Sequence, residues 1–148
     1  MKLCRGCFDK WSGDYEQSYM KKNEIRVRIL GDYEHLPADI QESIKKVEEA
    51  SAHFENLQLN ICLCYNGTKE IYQAAQKLSN SGKKELTESD FDACLYGGTN
   101  CRPEVIIRTS NEVRFSGFLL HQSKNAQVNF VENFWPDFSL WDMCKILH

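Results

Sequence analysis

No stretch of this 148-residue chain approaches the roughly 18 consecutive apolar residues of a membrane span. The opening Met1-Lys2-Leu3-Cys4-Arg5-Gly6-Cys7 lacks the apolar core of a secretory leader. A cationic excess is also missing. Lys and Arg number 18 against 21 Asp and Glu, a net charge of −3, which argues against a general nucleic-acid binder because phosphates must be neutralised by basic side chains. Internal repeats and low-complexity tracts are absent. The seven cysteines are odd in number and scattered, so they do not form the framework of a secreted disulfide protein. The expectation is a reduced, cytoplasmic compartment. What remains is the balance of an ordinary globular protein, 42% apolar and 26% charged. A chain of this size buries about two-thirds of its unfolded surface and needs no staple.

Periodicity alternates between two residues and 3.6. Ile25 to Leu30 alternates and then runs apolar into Gly31-Asp32, the pattern of a strand ending in a turn. Pro37 can open a helix as its first residue, with Ile40, Ile44, Val47 and Phe54 on one face and Ser51 completing the stripe. Leu57 to Tyr65 reads as an alternating strand stopped by Asn66-Gly67, and the next helix carries Ile71, Ala75 and Leu78 on one side. Thr87 with Asp90 three residues later is a capping signal for a short helix over Phe91 and Leu95. Val105-Ile106-Ile107 is a buried-strand run, Val128 to Phe130 another strand, and Trp135-Pro136 to Leu147 a turn and final helix. The alternation predicts an α/β fold, a mostly parallel sheet flanked by helices, in a single domain over 1–148 with an ill-defined lead-in over 1–23. In such sheets ligands sit beyond the C-terminal strand ends, where Asn66 to Glu70 and Arg108 to Ser116 fall.

The second of those loops carries the chemistry. Arg108-Thr109-Ser110-Asn111-Glu112-Val113-Arg114-Phe115-Ser116 crowds two guanidiniums, hydroxyls and a carboxylate behind an apolar strand. The rigid fork of Arg matches phosphate oxygens two at a time, and hydroxyls add donors. Glu112 can orient one Arg and spare the loop two adjacent unpaired cations. A phosphate or diphosphate site and a solvated loop with a structural Arg–Glu pair both fit this spacing.

The same residues resemble a family. IRTSNEVRFSGFLLHQ, from Ile107 to Gln122, is similar to the cis-prenyltransferase signature IRTSGE-x-R-L-S-x-FLLWQ of undecaprenyl and dehydrodolichyl diphosphate synthases. Supporting blocks follow in the family's order: VRILGD from Val27, LNICLCYNGTKEI from Leu59, CLYGG from Cys94 and WPDF from Trp135. LPADIQESI and the NICLCY strand look nearest the eukaryotic, dolichol-type branch. The resemblance implies addition of isopentenyl diphosphate to an allylic prenyl diphosphate with cis geometry. It implies Mg²⁺ as cofactor, a homodimer or a heterodimer with another cis-prenyltransferase subunit, and room for peripheral association with the endoplasmic reticulum membrane. Carried over residue by residue, Arg108, Arg114 and Ser116 hold the diphosphate of isopentenyl diphosphate, with Glu112 orienting.

Departures from the pattern set further expectations. The chain resembles the family without its N-terminal half, whose His-x-Met-Asp-Gly-Asn-x-Arg segment anchors the metal and cradles the allylic diphosphate. No catalytic residue and no metal ligand is therefore assigned, and activity of this chain alone is not expected. The Arg of the family's YGGR-x-EI block corresponds to Thr68, beside Lys69, and the Glu that assists the metal corresponds to Gln127, a poor Mg²⁺ ligand. The signature's Gly, Leu and Trp become Asn111, Phe115 and His121.

Other features have plainer readings. Cys4 and Cys7 lack the second cysteine pair of a structural zinc site. Cys62 and Cys64 are read as small apolar residues on one side of a strand. His35, His53, His121 and His148 are scattered and read as surface or structural residues. Asn66-Gly67-Thr68 reads as a strand-end turn, Trp135 and Trp141 as core or interface, Lys83-Lys84 as a solvated loop. Trp11, Tyr15, Tyr19 and Met20 suit one face of a helix. Three functions compete: a prenyltransferase chain, a non-catalytic partner or scaffold of a two-subunit cis-prenyltransferase, and an unrelated anion-binding domain. The retained Arg pair, and an ending without the partner subunits' Arg-x-Gly tail, favour the first.

Overall fold

The computed structural model describes residues 19–147, and the chain separates into two compact units at the Tyr65–Asn66 junction. The first unit comprises helix α1 (Tyr19–Lys22), strand β1 (Ile25–Leu30), helix α2 (Ala38–Ser51) and strand β2 (Leu57–Cys62). The two strands are parallel, paired from Ile25 with Leu57 to Leu30 with Cys62. Odd-numbered residues of β1 face α2, so Val27 and Ile29 meet Ile40, Ile44 and Val47 in a core that also takes Met20. The helix stripe read from the sequence is the buried stripe. Phe54 is buried but lies past the helix end, and Pro37 stands just before the first turn rather than inside it.

β1 is sealed on the edge away from β2. The Ser51 hydroxyl accepts from Val27 N at 3.0 Å and donates to Val47 O at 2.8 Å, and Glu48 Oε1 accepts from Ile29 N at 2.8 Å. A strand edge whose amides are bonded by its own helix offers them to nothing else. β2 stays open to solvent at Leu57 and Leu59, unlike an interior strand of a parallel sheet. It also ends sooner than its pattern suggests: Cys64 is exposed beyond it, with φ +51°, so Cys62 and Cys64 do not share a strand face.

The second unit holds helix α3 (Gly67–Asn80), helix α4 (Glu88–Cys94), strand β3 (Val105–Arg108), strand β4 (Gln127–Phe130) and helix α5 (Leu140–Leu147). β3 and β4 are parallel, paired from Val105 with Gln127 to Arg108 with Phe130. The α/β class with parallel strands and flanking helices is as read from the sequence. α4 begins with the expected capping box, Thr87 and Asp90 bonding each other's backbone amides. Asn66 caps α3 by accepting from Lys69 N, so Asn66-Gly67-Thr68 starts a helix rather than ending a strand, which stops at Cys62.

Several expectations change. α3 buries Gly67, Glu70 and Ala74, while Ala75 is exposed and Ile71 and Leu78 are half-buried. Trp135 and Trp141 are not core: they are 73% and 78% exposed. Lys83 is not merely solvated, since its ammonium bonds Asp90 at 2.7 Å. Phe118 to Leu120 forms turns, with only Leu119 buried. Cys4, Cys7, Trp11, Tyr15 and His148 lie outside the described residues. No helix among those described is long and apolar enough to cross a membrane.

Candidate functional site

The arginine loop leaves the C-terminal end of β3 and is tied down on both sides. Arg108 O accepts from Val131 N at 2.8 Å, continuing the ladder one step past the strand. Ser110 and Asn111 then turn back in the left-handed region, φ +71° and +55°, donating their amides to Asn133 O and Val131 O at 2.8 and 3.0 Å. Asn111 occupies the position where the resembled signature has Gly. Asn is the side chain that best tolerates this conformation after Gly, so the replacement preserves the turn.

Further along, Ser116 and Gly117 are again left-handed, φ +48° and +80°. Gly117 O accepts from Gly67 N at 2.7 Å, which fastens the loop to the first turn of α3. The approach is so close that a Cβ on Gly67 would sit 2.5 Å from Gly117 O. One turn on, the buried Glu70 carboxylate accepts from Tyr96 N at 2.8 Å through Oε1 and from Gln122 Nε2 at 3.0 Å through Oε2. α3 thus gathers the CLYGG block and the far end of the signature.

All four predicted site residues are reachable from solvent: Arg108 and Glu112 are half-buried, Arg114 and Ser116 exposed. Glu112 Oε2 lies 3.0 Å from Arg114 Nε, the orienting contact expected of it, although Arg114 is 70% exposed and such a pair contributes only about 0–1 kcal/mol. Among the described residues no hydrogen bond or ion pair engages the Arg108 guanidinium or the Ser116 hydroxyl. Their donors are available to a ligand. The Ser110 and Asn111 amides, being spent on the segment that leaves β4, are not.

Sequence reasoning missed a second polar cluster. Asp92, 5% exposed on α4, accepts from His121 Nε2 at 2.9 Å and from Arg102 Nη2. Glu88, one turn earlier, accepts from Arg102 Nη2 at 3.2 Å and from Lys124 Nζ. The His121 ring also packs edge-on against Phe91, centroids 4.9 Å apart. Burial pushes the Asp92 carboxyl up, but hydrogen bonds from Arg102 and His121 outweigh it and hold it below the ordinary carboxylate range. Glu88 is held low as well, chiefly by Lys124 and then Arg102. The spacing of an acidic residue every fourth position on a short helix was the available signal.

Glu88, Asp92 and His121 present ligand atoms within 4.8 Å of one another, enough in geometry to hold a metal ion. The donor set does not suit Mg²⁺. That ion wants an octahedron of oxygens, whereas here an imidazole nitrogen is included and the carboxylates already bond a guanidinium and an ammonium. Gln127 fits no better, since its amide nitrogen donates to Asn129 Oδ1 and Ile146 O.

With this geometry established, comparison with known proteins is informative. The profile of the family described as "Putative undecaprenyl diphosphate synthase" matches residues 1–148. The chain belongs to the cis-prenyltransferase family. Its relatives include the dehydrodolichyl diphosphate synthase complex subunit of Mus musculus, 33% identical over 138 residues, 89% of this chain and 41% of the relative. The tritrans,polycis-undecaprenyl-diphosphate synthase (geranylgeranyl-diphosphate specific) of Thermoplasma acidophilum is 38% identical over 133 residues, 86% of this chain and 52% of that protein. Among solved structures, a probable undecaprenyl diphosphate synthase from Campylobacter jejuni superposes with a TM-score of 0.83 at 28% identity, covering 99% of this chain and 66% of that one. This cis-prenyltransferase chain therefore spans about half the length of the curated relatives it matches.

Proposed function

We propose that this chain supplies the isopentenyl diphosphate-binding part of a cis-prenyltransferase. Arg108 and Arg114 grip the diphosphate, the Ser116 hydroxyl donates to it, and Glu112 keeps Arg114 in place. The observation that carries the reading is the unengaged Arg108 guanidinium and Ser116 hydroxyl on the same loop as the Glu112–Arg114 pair, immediately after a parallel strand. In the reaction, C4 of isopentenyl diphosphate attacks C1 of the allylic diphosphate, the allylic C–O bond breaks and diphosphate leaves. A proton is then lost from C2 and a cis double bond remains. The loop's task is to hold the nucleophile's charged head so that its double bond meets C1.

Mg²⁺ enters only as a property of the family, and no step is assigned to it because no described group suits it. The allylic partner, a homodimer or a heterodimer with another cis-prenyltransferase subunit, and peripheral association with the endoplasmic reticulum belong to the same reading. A second reading is a non-catalytic partner or scaffold in a two-subunit enzyme. In it the site residues remain but no turnover is expected.

Calorimetry with isopentenyl diphosphate tests the site. Arg114→Ala and Arg108→Ala should each weaken binding about 10- to 100-fold, the equivalent of losing one charge-assisted hydrogen bond or pair. Equal affinity of parent and Arg114→Ala would defeat the assignment.

A further inference from the structure

The acidic face of α4 touches the chain on both sides of the arginine loop. Arg102 lies three residues before β3, whose last residue is Arg108. His121 lies five residues after Ser116, and Lys124 follows it. All four residues of the diphosphate site fall between these side chains. Glu88 and Asp92, one turn apart, each bond one partner from either flank: exposed Glu88 takes Arg102 and Lys124, while buried Asp92 takes His121 Nε2 through Oδ1 at 2.9 Å and Arg102 Nη2 through Oδ2.

We infer that Asp92 is a positioning residue for the diphosphate site, clamping the two ends of the segment that carries it through Arg102 and His121. This role rests on the reading of the loop as a diphosphate grip, in which a displacement of either flank carries the guanidiniums out of register with the phosphate oxygens. Three observations support the clamp. Asp92 is the one buried carboxylate of α4, and a buried carboxylate is stable there only while both oxygens are bonded. Its partners flank β3 and the arginine loop and lie outside the β3–β4 ladder, so the contact ties together segments that the ladder itself does not join. His121 stands where the resembled signature has Trp, and its imidazole both bonds Asp92 and packs edge-on against Phe91.

The substitution that separates positioning from plain stability is Asp92→Asn. It retains shape and one acceptor oxygen but removes the charge that pairs Arg102, and its amide can face His121 only when the imidazole takes the tautomer with Nε2 unprotonated. Calorimetry with inorganic pyrophosphate as probe, in low salt, should show affinity falling about 5- to 50-fold in Asp92→Asn, a typical span for coupling between a supporting contact and a site. In an Arg114→Ala background the same substitution should cost clearly less affinity than in the parent, because part of the grip it positions is gone. Hydrogen exchange without ligand should show faster exchange of the Gly67, Ser110 and Asn111 amides in Asp92→Asn, with the first unit's β1 amides unchanged.

A lower melting temperature with parent-like pyrophosphate affinity would overturn the clamp, as would an equal affinity loss in both backgrounds. If the parent itself takes up no pyrophosphate, the diphosphate reading fails on its own account. Exchange at residues 67, 110 and 111 then decides the clamp: unchanged protection sinks it, and faster exchange keeps it as a restraint on the loop.

Discussion

Two backbone approaches decide the shape of the arginine loop at single residues. Asn111 sits at φ +55° with its amide spent on Val131 O, a conformation most side chains resist. Gly67 meets Gly117 O so closely that any Cβ forces one of them to move. Gly67→Ala is therefore expected to cost about 1–3 kcal/mol, the usual range for overpacking a tight contact. Urea unfolding measures it, and a variant as stable as the parent would show that the approach is looser than described. Neither position was legible as such from periodicity. The asparagine in place of the signature's Gly read as a departure, and its left-handed backbone shows that the turn survives it. Glu70 is a similar case: read in a loop beyond a strand end, it lies instead on α3 and is 2% exposed, with Tyr96 N and Gln122 Nε2 satisfying it.

Helix α4 shows how local chemistry becomes geometry. Its N-terminus was readable because a capping box is a contact between residues three apart and needs nothing distant. Its acidic face was not, because Arg102, His121 and Lys124 lie up to 36 residues from Glu88 and Asp92 in sequence. The cap predicts a pH dependence. Asp90 is lowered from 3.8 to about 2, first by the Lys83 ammonium and then by the Thr87 hydroxyl and amide. Its folded value lies below its unfolded one, so its support of the helix is complete above pH 3.8 and is lost as pH falls toward 2. A carboxyl NMR titration should place Asp90 near the lower value in the parent and nearer 3.8 in Lys83→Ala; a parent midpoint near 3.8 would show that the Lys83 contact does not hold in solution.

Across the whole molecule, exposed apolar surface is the dominant feature. β2 leaves Leu57 and Leu59 open, and the second unit ends in Phe134, Trp135, Leu140, Trp141 and Leu147, all more than 60% exposed. Soluble monomers rarely leave so many large apolar side chains clustered in water. The isolated chain is expected to self-associate at micromolar concentration, and Trp141→Glu should reduce that association. Sedimentation velocity showing a clean, stable monomer of the parent would contradict it. The sequence reading of Trp135 and Trp141 as core or interface failed in its first half, since periodicity tells an apolar face from a polar one but not whether anything lies against it.

Short-range features were within reach of the amino-acid order alone: the α2 stripe, the α4 cap, the strands around Val105 and Val128, the arginine loop and its family. Each depends on neighbours a few residues apart, or on a motif intact in one stretch. Folding in three dimensions was needed to learn which face of α3 is buried, that β1 is closed by Ser51 and Glu48, and that Asp92 reaches both sides of the loop. Those outcomes depend on groups brought together from far along the chain, whose mutual satisfaction no local pattern encodes.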